Sequence, residues 1–219
     1  PLLPEIETDP AALAEYLTFQ YTIGDHTLFK GIRQLLPGHA LSVEDGEIRT
    51  WRYWGVRYEI DYDHSPKYFQ TRLVELMADS LKLHLRSDVP IGSYMSGGID
   101  SSLIAILAAE SDPGNRRAFH GKFTEHPGYD ESRYALLAAQ RAGSNLHVID
   151  IGSGDFKDHI RDVIYHLDFP VAGPGSFAQY MVSRLASQHL KVVLGGQGGD
   201  EIFGGYARYL LAYFEQCIK

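Results

Sequence analysis

Val89-Pro90-Ile91-Gly92-Ser93-Tyr94-Met95-Ser96-Gly97-Gly98-Ile99-Asp100-Ser101-Ser102 runs from a short apolar segment through a glycine-serine loop into the apolar-rich stretch Leu103 to Ala109. Val89 to Met95 has the length and character of a buried strand, and Ser101 to Ala109 that of a helix. A strand, a tight glycine-rich turn and a helix in succession form the first βα unit of a parallel sheet. The following stretch keeps the alternation. Arg117 to Phe123 is expected as a strand, Glu131 to Ala142 as a helix ended by Gly143, and Asn145 to Ile151 as a strand. Helices are expected over Phe156 to Leu167 and Ser176 to Gln188, then a fourth strand at Leu190 to Leu194, a second glycine-rich turn and an aromatic helix. This pattern predicts an α/β fold with a doubly wound, mostly parallel sheet, in which ligands bind outside the carboxyl ends of the strands.

Upstream of that unit the pattern differs. Asp9-Pro10 is an N-cap and N1 pair for a short helix over residues 9 to 20, and His39 to Tyr53 reads as a hairpin turning at Asp45-Gly46. Two such elements are too little for a domain and look like the tail of a larger one. Ser65-Pro66 then opens a stronger helix carrying Phe69, Leu73, Leu76, Met77 and Leu81 on one face.

Composition narrows the function. The 219 residues are 44% hydrophobic and 22% charged, as in a globular protein, and no apolar run nears the roughly 18 to 20 residues of a membrane span. A formal net charge of −8 argues against broad electrostatic binding of nucleic acid. The start, Pro1 to Pro10, shows no secretory signal, and the one cysteine, Cys217, cannot form an internal disulfide. A cytoplasmic location, small-molecule substrates and neither membrane nor nucleic-acid partners are the expectation, with a homodimer left open.

Ser96 to Ser102 is suited to phosphate. Its glycines let backbone amides approach a ligand, its hydroxyls add donors, and the positive end of a helix dipole faces the same point. Asp100 would repel bare phosphate, so its economical role is to ligate Mg²⁺ carried by a nucleotide. Neither G-x-x-x-x-G-K-[ST] nor G-x-G-x-x-G occurs here, and the plain structural alternative is a glycine-serine turn in which Asp100 and Ser101 cap a helix. The second loop, Gly195-Gly196-Gln197-Gly198-Gly199-Asp200-Glu201, also follows a strand and can share the same carboxyl edge. Asp200, with Glu201 beside it, could there complete a Mg²⁺ site with Asp100.

The seven-residue first loop resembles the pyrophosphate loop of the ATP-pyrophosphatase family, with its adenine nucleotide alpha-hydrolase-like fold. With the second loop, Gly128-Tyr129-Asp130-Glu131-Ser132 and Met181-Val182-Ser183-Arg184-Leu185, the chain resembles the synthetase domain of glutamine-hydrolysing asparagine synthetases. Gly31-Ile32, Leu36-Pro37-Gly38-His39 and Tyr53-Trp54 resemble the end of the glutaminase domain that precedes it in that family. The resemblance implies that residues 1–60 are a remnant of that N-terminal domain and 61–219 the first part of the synthetase domain. It also implies ATP-dependent amide formation: the aspartate side chain is activated as an acyl-adenylate, and ammonia released from glutamine attacks it, with AMP and pyrophosphate released. Carried over by motif, Ser96, Gly97, Gly98, Ile99, Asp100, Ser101 and Ser102 would hold the ATP phosphates, and Asp100 and Asp200 would bind Mg²⁺. Tyr94, Met95 and Gly121 would border adenosine, and Gly195 and Gly196 would lie against the nucleotide.

Three departures accompany the resemblance. The sequence opens at Pro1 without the family's N-terminal cysteine and closes at Lys219, before the helices that supply its catalytic lysine. A fragment of a longer protein, lacking glutaminase and complete synthetase activity, is therefore expected. The third departure is chemical: Gly195-Gly196-Gln197 stands where the family usually has Ser-Gly-Glu, whose glutamate deprotonates ammonia, and a neutral amide cannot do that. Relatives resembling β-lactam synthetases and lasso-peptide cyclases also vary this position, so another amine or an intramolecular nucleophile stays open, as does a binding-only homologue. Other readings fail on residues: Tyr94 to Gly98 lacks the first glycine of a hydrolase elbow, the histidines show no metal-site spacing, and a tRNA-thiolating enzyme would need paired cysteines.

Overall fold

A computed structural model describes residues 5–114, 116–170 and 175–219, the side chain of residue 127 excepted, so that parts of both expected domains lie outside the described residues. The chain divides into two compact units, one within Pro1–His64 and Arg161–Pro174, the other within Ser65–Ile160 and Gly175–Lys219.

In the first unit, helix α1 (Pro10–Phe19) starts as the sequence predicts: the Asp9 carboxylate accepts hydrogen bonds from the amides of Ala11 at 2.9 Å and Ala12 at 3.1 Å. Strands β1 (His39–Glu44) and β2 (Glu47–Arg52) pair antiparallel around the Asp45-Gly46 turn.

The second unit opens with α2 (Pro66–His84), capped by Ser65. It continues through β3 (Ile91–Tyr94), α3 (Ile99–Ser111), β4 (Arg117–Lys122), α4 (Ser132–Arg141) and β5 (Asn145–Asp150). Helix α5 (Ser153–Leu167) begins in this unit, and α6 (Gly175–Ser187), β6 (Val192–Leu194), α7 (Gly199–Phe203) and α8 (Ala207–Ile218) complete it. The four strands lie in the order β5-β4-β3-β6, and every pairing is parallel. The expected elements are present with shifted ends. Strand β3 starts later than Val89 because Pro90 has no amide hydrogen to give a ladder and the Val89 amide is held by Ser87. Strand β6 is three residues long because the Leu190 amide still closes the last turn of α6, on Ala186. The aromatic segment after the second loop is two helices, α7 and α8.

Strand β4 shows why the sheet is covered on both faces, since Ala118, Phe119 and His120 are consecutive and all buried. Ala118 packs with Met95 against Ala105 of α3 and Ala135, Ala138 and Ala139 of α4. These small side chains let the two helices come close to the strands. On the other face, Gly121 approaches Val182 of α6, and Phe119 stacks with His147 and His189. The sheet is thus doubly wound. No helix among the described residues is long and apolar enough to cross a membrane.

The His147–His189 ring contact, 4.2 Å between centroids, carries a pH dependence. Burial pushes the His147 imidazole below its ordinary value, with the charges of His189 and Arg117 adding to the effect, and its buried Nε2 has no hydrogen-bond partner. Above the ordinary imidazole value of about 6.5 the group is neutral in both states and the fold keeps its full stability. As pH falls below that value the unfolded chain takes the proton first, and stability is lost down to the depressed folded value. Thermal unfolding at pH 7.5 and 5.5 should show a smaller drop in midpoint for His147→Leu than for the unsubstituted chain; equal drops would contradict this origin.

Candidate functional site

Both glycine-rich loops leave the carboxyl ends of adjacent strands, the first from β3 and the second from β6. The first is closed by its own hydroxyls. Ser101 Oγ donates to Gly98 O at 3.2 Å and accepts from the Ser96 amide at 3.2 Å, so the 2.8 Å contact with Ser96 Oγ carries the Ser96 proton. Ser96 Oγ in turn accepts from the Gly98 amide at 3.2 Å, and Ser102 Oγ donates to Gly98 O at 2.7 Å. The serines therefore shape the loop, and the first turn of the thirteen-residue α3 supplies its unpaired backbone amides. Gly97 has φ +99°, and a Cβ there would lie 2.8 Å from Glu131 O, so the loop rests on the start of α4.

The second loop lies directly on the first. A Cβ at Gly196 would stand 2.6 Å from Ser101 N and 2.8 Å from Asp100 C, an approach only glycine permits. Three residues on, Gly199 packs against the Asp100 carboxylate.

The two loops enclose a cavity of about 320 Å³. Its lining includes Ser96, Gly98, Asp100, Ser101, Gly196, Gln197, Asp200 and Glu201. A second cavity of about 210 Å³, lined by Tyr94, Met95, Phe119, Gly121 and Val182 among others, shares Tyr94, Ser96 and Gln179 with the first. Ile99 is 85% exposed, and it, Ser102 and Gly195 line neither cavity, while Gly97 supports the loop from behind. The Met95 side chain is wholly buried in the core, and its carbonyl is held by His120.

The larger cavity is acidic. Asp100, Asp200 and Glu201 line it, and none of the described residues lining it is lysine, arginine or histidine. Tyr206 donates to Glu201 Oε1 at 2.8 Å, which holds that carboxyl below its usual range and pushes the phenol up. A phosphate ligand would meet net repulsion here unless a cation came with it. No three His, Cys, Asp or Glu among the described residues form a metal-binding group, so Asp100 and Asp200 offer no all-protein cage. Two carboxylates with room for water and phosphate suit Mg²⁺, which keeps most of its shell from solvent and substrate.

Sequence reasoning left three site residues unassigned. Gln179 accepts from Gln197 Nε2 at 3.1 Å and donates to Ser183 Oγ at 3.3 Å. Ser183 Oγ donates to Gln179 O at 2.7 Å, so the Tyr94 hydroxyl, 2.8 Å away, donates to it. Gln197 is thereby tied through Gln179 and Ser183 to Tyr94. Ser183 lies inside the quoted Met181 to Leu185 motif, whereas nothing local marks Gln179 or His120.

The close packing of the loops gives a paired test. Gly196→Ala should destabilise the protein by about 1–3 kcal/mol, because its methyl meets backbone. Gly195→Ala should cost far less, since only the movable end of Gln197 stands in its way. Denaturant unfolding of both variants measures the difference; equal costs would contradict the contact between the loops.

Comparison with known proteins accords with this geometry. The asparagine synthase family model matches residues 72–219, and a glutamine amidotransferase domain model matches residues 2–54. The chain is 33% identical over 207 residues to asparagine synthetase [glutamine-hydrolyzing] 1 of Bacillus subtilis, covering 94% of this chain and 32% of that protein. It is 33% identical over 211 residues to a putative asparagine synthetase [glutamine-hydrolyzing] of Mycobacterium bovis, with 94% of this chain and 32% of that protein covered. To asparagine synthetase B [glutamine-hydrolyzing] of Escherichia coli it is 34% identical over 190 residues, covering 80% of this chain and 34% of that protein. The chain thus spans about a third of the length of these relatives. With the family match running over more than half its length, onto a parallel sheet whose two glycine-rich loops meet at one edge, the chain belongs to the asparagine synthase family.

Proposed function

We propose that this chain is part of an ATP-dependent ligase that forms an amide through an acyl-adenylate, with asparagine made from aspartate and glutamine-derived ammonia as the first reading. Residues 1–60 are then the tail of a glutamine amidotransferase domain, and 61–219 the first part of the synthetase domain. The observation that carries the reading is the seating of Gly196 on the backbone of Asp100 and Ser101, which brings three carboxylates and the start of α3 around one cavity.

Each part has a chemical task. The first-turn amides of α3 bind the phosphates, and the apolar cavity beside Tyr94 and Gly121 takes the adenine ring. Asp100 and Asp200 are the residues that would hold Mg²⁺, which would supply charge neutralisation for the leaving pyrophosphate. The substrate carboxylate attacks the α-phosphorus and pyrophosphate leaves with its bonding pair; an amine then attacks the acyl carbon, AMP leaves with the electron pair of the broken acyl–oxygen bond, and the amine's surplus proton passes to water. Gln197, tied to Gln179, can orient an amine but cannot take its proton. That favours a second reading, in which a different amine or an intramolecular nucleophile completes the reaction on the same adenylate.

The test is product analysis on the complete gene product with MgATP, aspartate and ammonia. AMP, pyrophosphate and asparagine in equal amounts are expected. Pyrophosphate without asparagine would favour the second reading, and no pyrophosphate would contradict adenylation of aspartate. Gln197→Glu should raise amide formation about tenfold or more relative to adenylation, in keeping with the 10²–10⁴ typical of a positioned base; an unchanged ratio would remove Gln197 from the nucleophilic step.

A further inference from the structure

Gly195 and Gln197, which stand where the family usually has serine and glutamate, meet in one contact. A Cβ at Gly195 would lie 2.1 Å from Gln197 Oε1 and 3.1 Å from its Cδ, so the Gln197 side chain folds back over a residue with no side chain of its own. Folded back, its Nε2 donates to Gln179 Oε1 at 3.1 Å. Gln179 stands on α6 and lines both cavities.

The direction of that bond is fixed from behind. Ser183 Oγ has one hydrogen, which goes to Gln179 O at 2.7 Å. The Tyr94 hydroxyl at 2.8 Å and the Gln179 Nε2 at 3.3 Å therefore both donate to Ser183. This turns Gln179 Nε2 toward Ser183 and leaves its Oε1 facing Gln197, where only a donor satisfies it. The Gln197 amide is thus held with Nε2 toward α6 and Oε1 over Gly195, and that Oε1 has no hydrogen-bond partner among the described residues. The orientation matters to an amine. A nitrogen nucleophile attacks with its lone pair, so an N–H of Gln197 aimed at it would bind the electrons that must form the new bond. A carbonyl oxygen accepts an N–H of the amine instead and leaves the lone pair free for the acyl carbon.

We propose that Gln179 is a positioning residue for the amide-forming step: by accepting from Gln197 Nε2 it keeps Gln197 Oε1 as the acceptor offered to a neutral amine. The proposal rests on the acyl-adenylate reading of the preceding section. In that step the nitrogen–carbon bond forms, the acyl–oxygen bond to AMP breaks with its electron pair going to AMP, and the surplus amine proton passes to water. Gly195 belongs to the same arrangement, since a methyl there would displace the Gln197 amide.

The experiment measures initial rates of pyrophosphate release by the complete gene product with aspartate, once with ammonia varied at saturating MgATP and once with MgATP varied at saturating ammonia. The quantity read is kcat/KM for ammonia divided by kcat/KM for MgATP, so that any effect of a substitution on the nucleotide enters the denominator. Gln179→Leu, Gln197→Ala and the double variant are compared, and their unfolding midpoints check that each folds. Gln179→Leu removes the acceptor and should lower the ratio about tenfold or more, in keeping with the cost of a misplaced reacting group. Gln197→Ala should lower it as far, and the double variant by no more than about twofold beyond Gln197→Ala, because Gln179 acts only through Gln197. Gly195→Ala, which displaces the amide with Gln179 in place, should lower the ratio likewise and takes the place of Gln179→Leu should the latter not fold. An unchanged ratio, or losses that simply add in the double variant, overturn the proposal and leave adenylation standing. Pyrophosphate release that does not respond to ammonia has the same consequence. No pyrophosphate release at all by the unsubstituted protein overturns both.

Discussion

The contact between the backbone of Gly196 and that of Asp100 and Ser101 is the constraint on which the rest of the site depends. Parallel pairing of β3 with β6 brings two turns far apart in sequence to the same sheet edge, and the missing side chain at Gly196 lets them touch. Gly199 then comes to lie against the Asp100 carboxylate, and Asp200 and Glu201 enter the same cavity. The acidic cavity and the tie from Gln197 to Gln179 both follow from that approach. A larger residue at Gly196 would part the loops and with them the carboxylates.

Support for the first loop comes from beneath as much as from within. The alanines of α3 and α4 let both helices sit close on β3 and β4, which places Glu131 under Gly97 and Ser132 within reach of His120. Serine hydroxyls then fix the loop by bonding to its own backbone. The backbone amides at the start of α3 are thus preorganised, and none of the described residues lining the cavity carries a cationic side chain.

The fold was legible in the sequence because its signals are local. Apolar runs of strand length, glycine turns and helical periods alternate from Val89 onward, and Asp9-Pro10 and Ser65-Pro66 mark helix starts that the backbone adopts. Ends shifted where a single backbone group had a competing partner, as at Val89 and Leu190. The site was legible as two loops, since glycine and acidic residues cluster visibly in each. Its internal wiring was not. Ser101 and Ser102 look like phosphate donors until their protons are found on Gly98 O, and Ile99 shares the motif yet faces outward. Gln179, Ser183 and His120 act across separations of 18, 89 and 25 residues, to Gln197, Tyr94 and Met95, and no periodicity carries that information.

On the proposed function, the two loops make one site in which the carboxylates of Asp100 and Asp200 admit a nucleotide only with its metal. Equilibrium binding of ATP to the complete gene product, with Mg²⁺ present and with it removed by chelation, tests this most directly. Tight binding with Mg²⁺ and at least about tenfold weaker binding without it are expected, the gap closing in Asp100→Asn as one carboxylate's repulsion and one metal ligand are removed together. ATP that binds equally well with and without the metal would contradict the account.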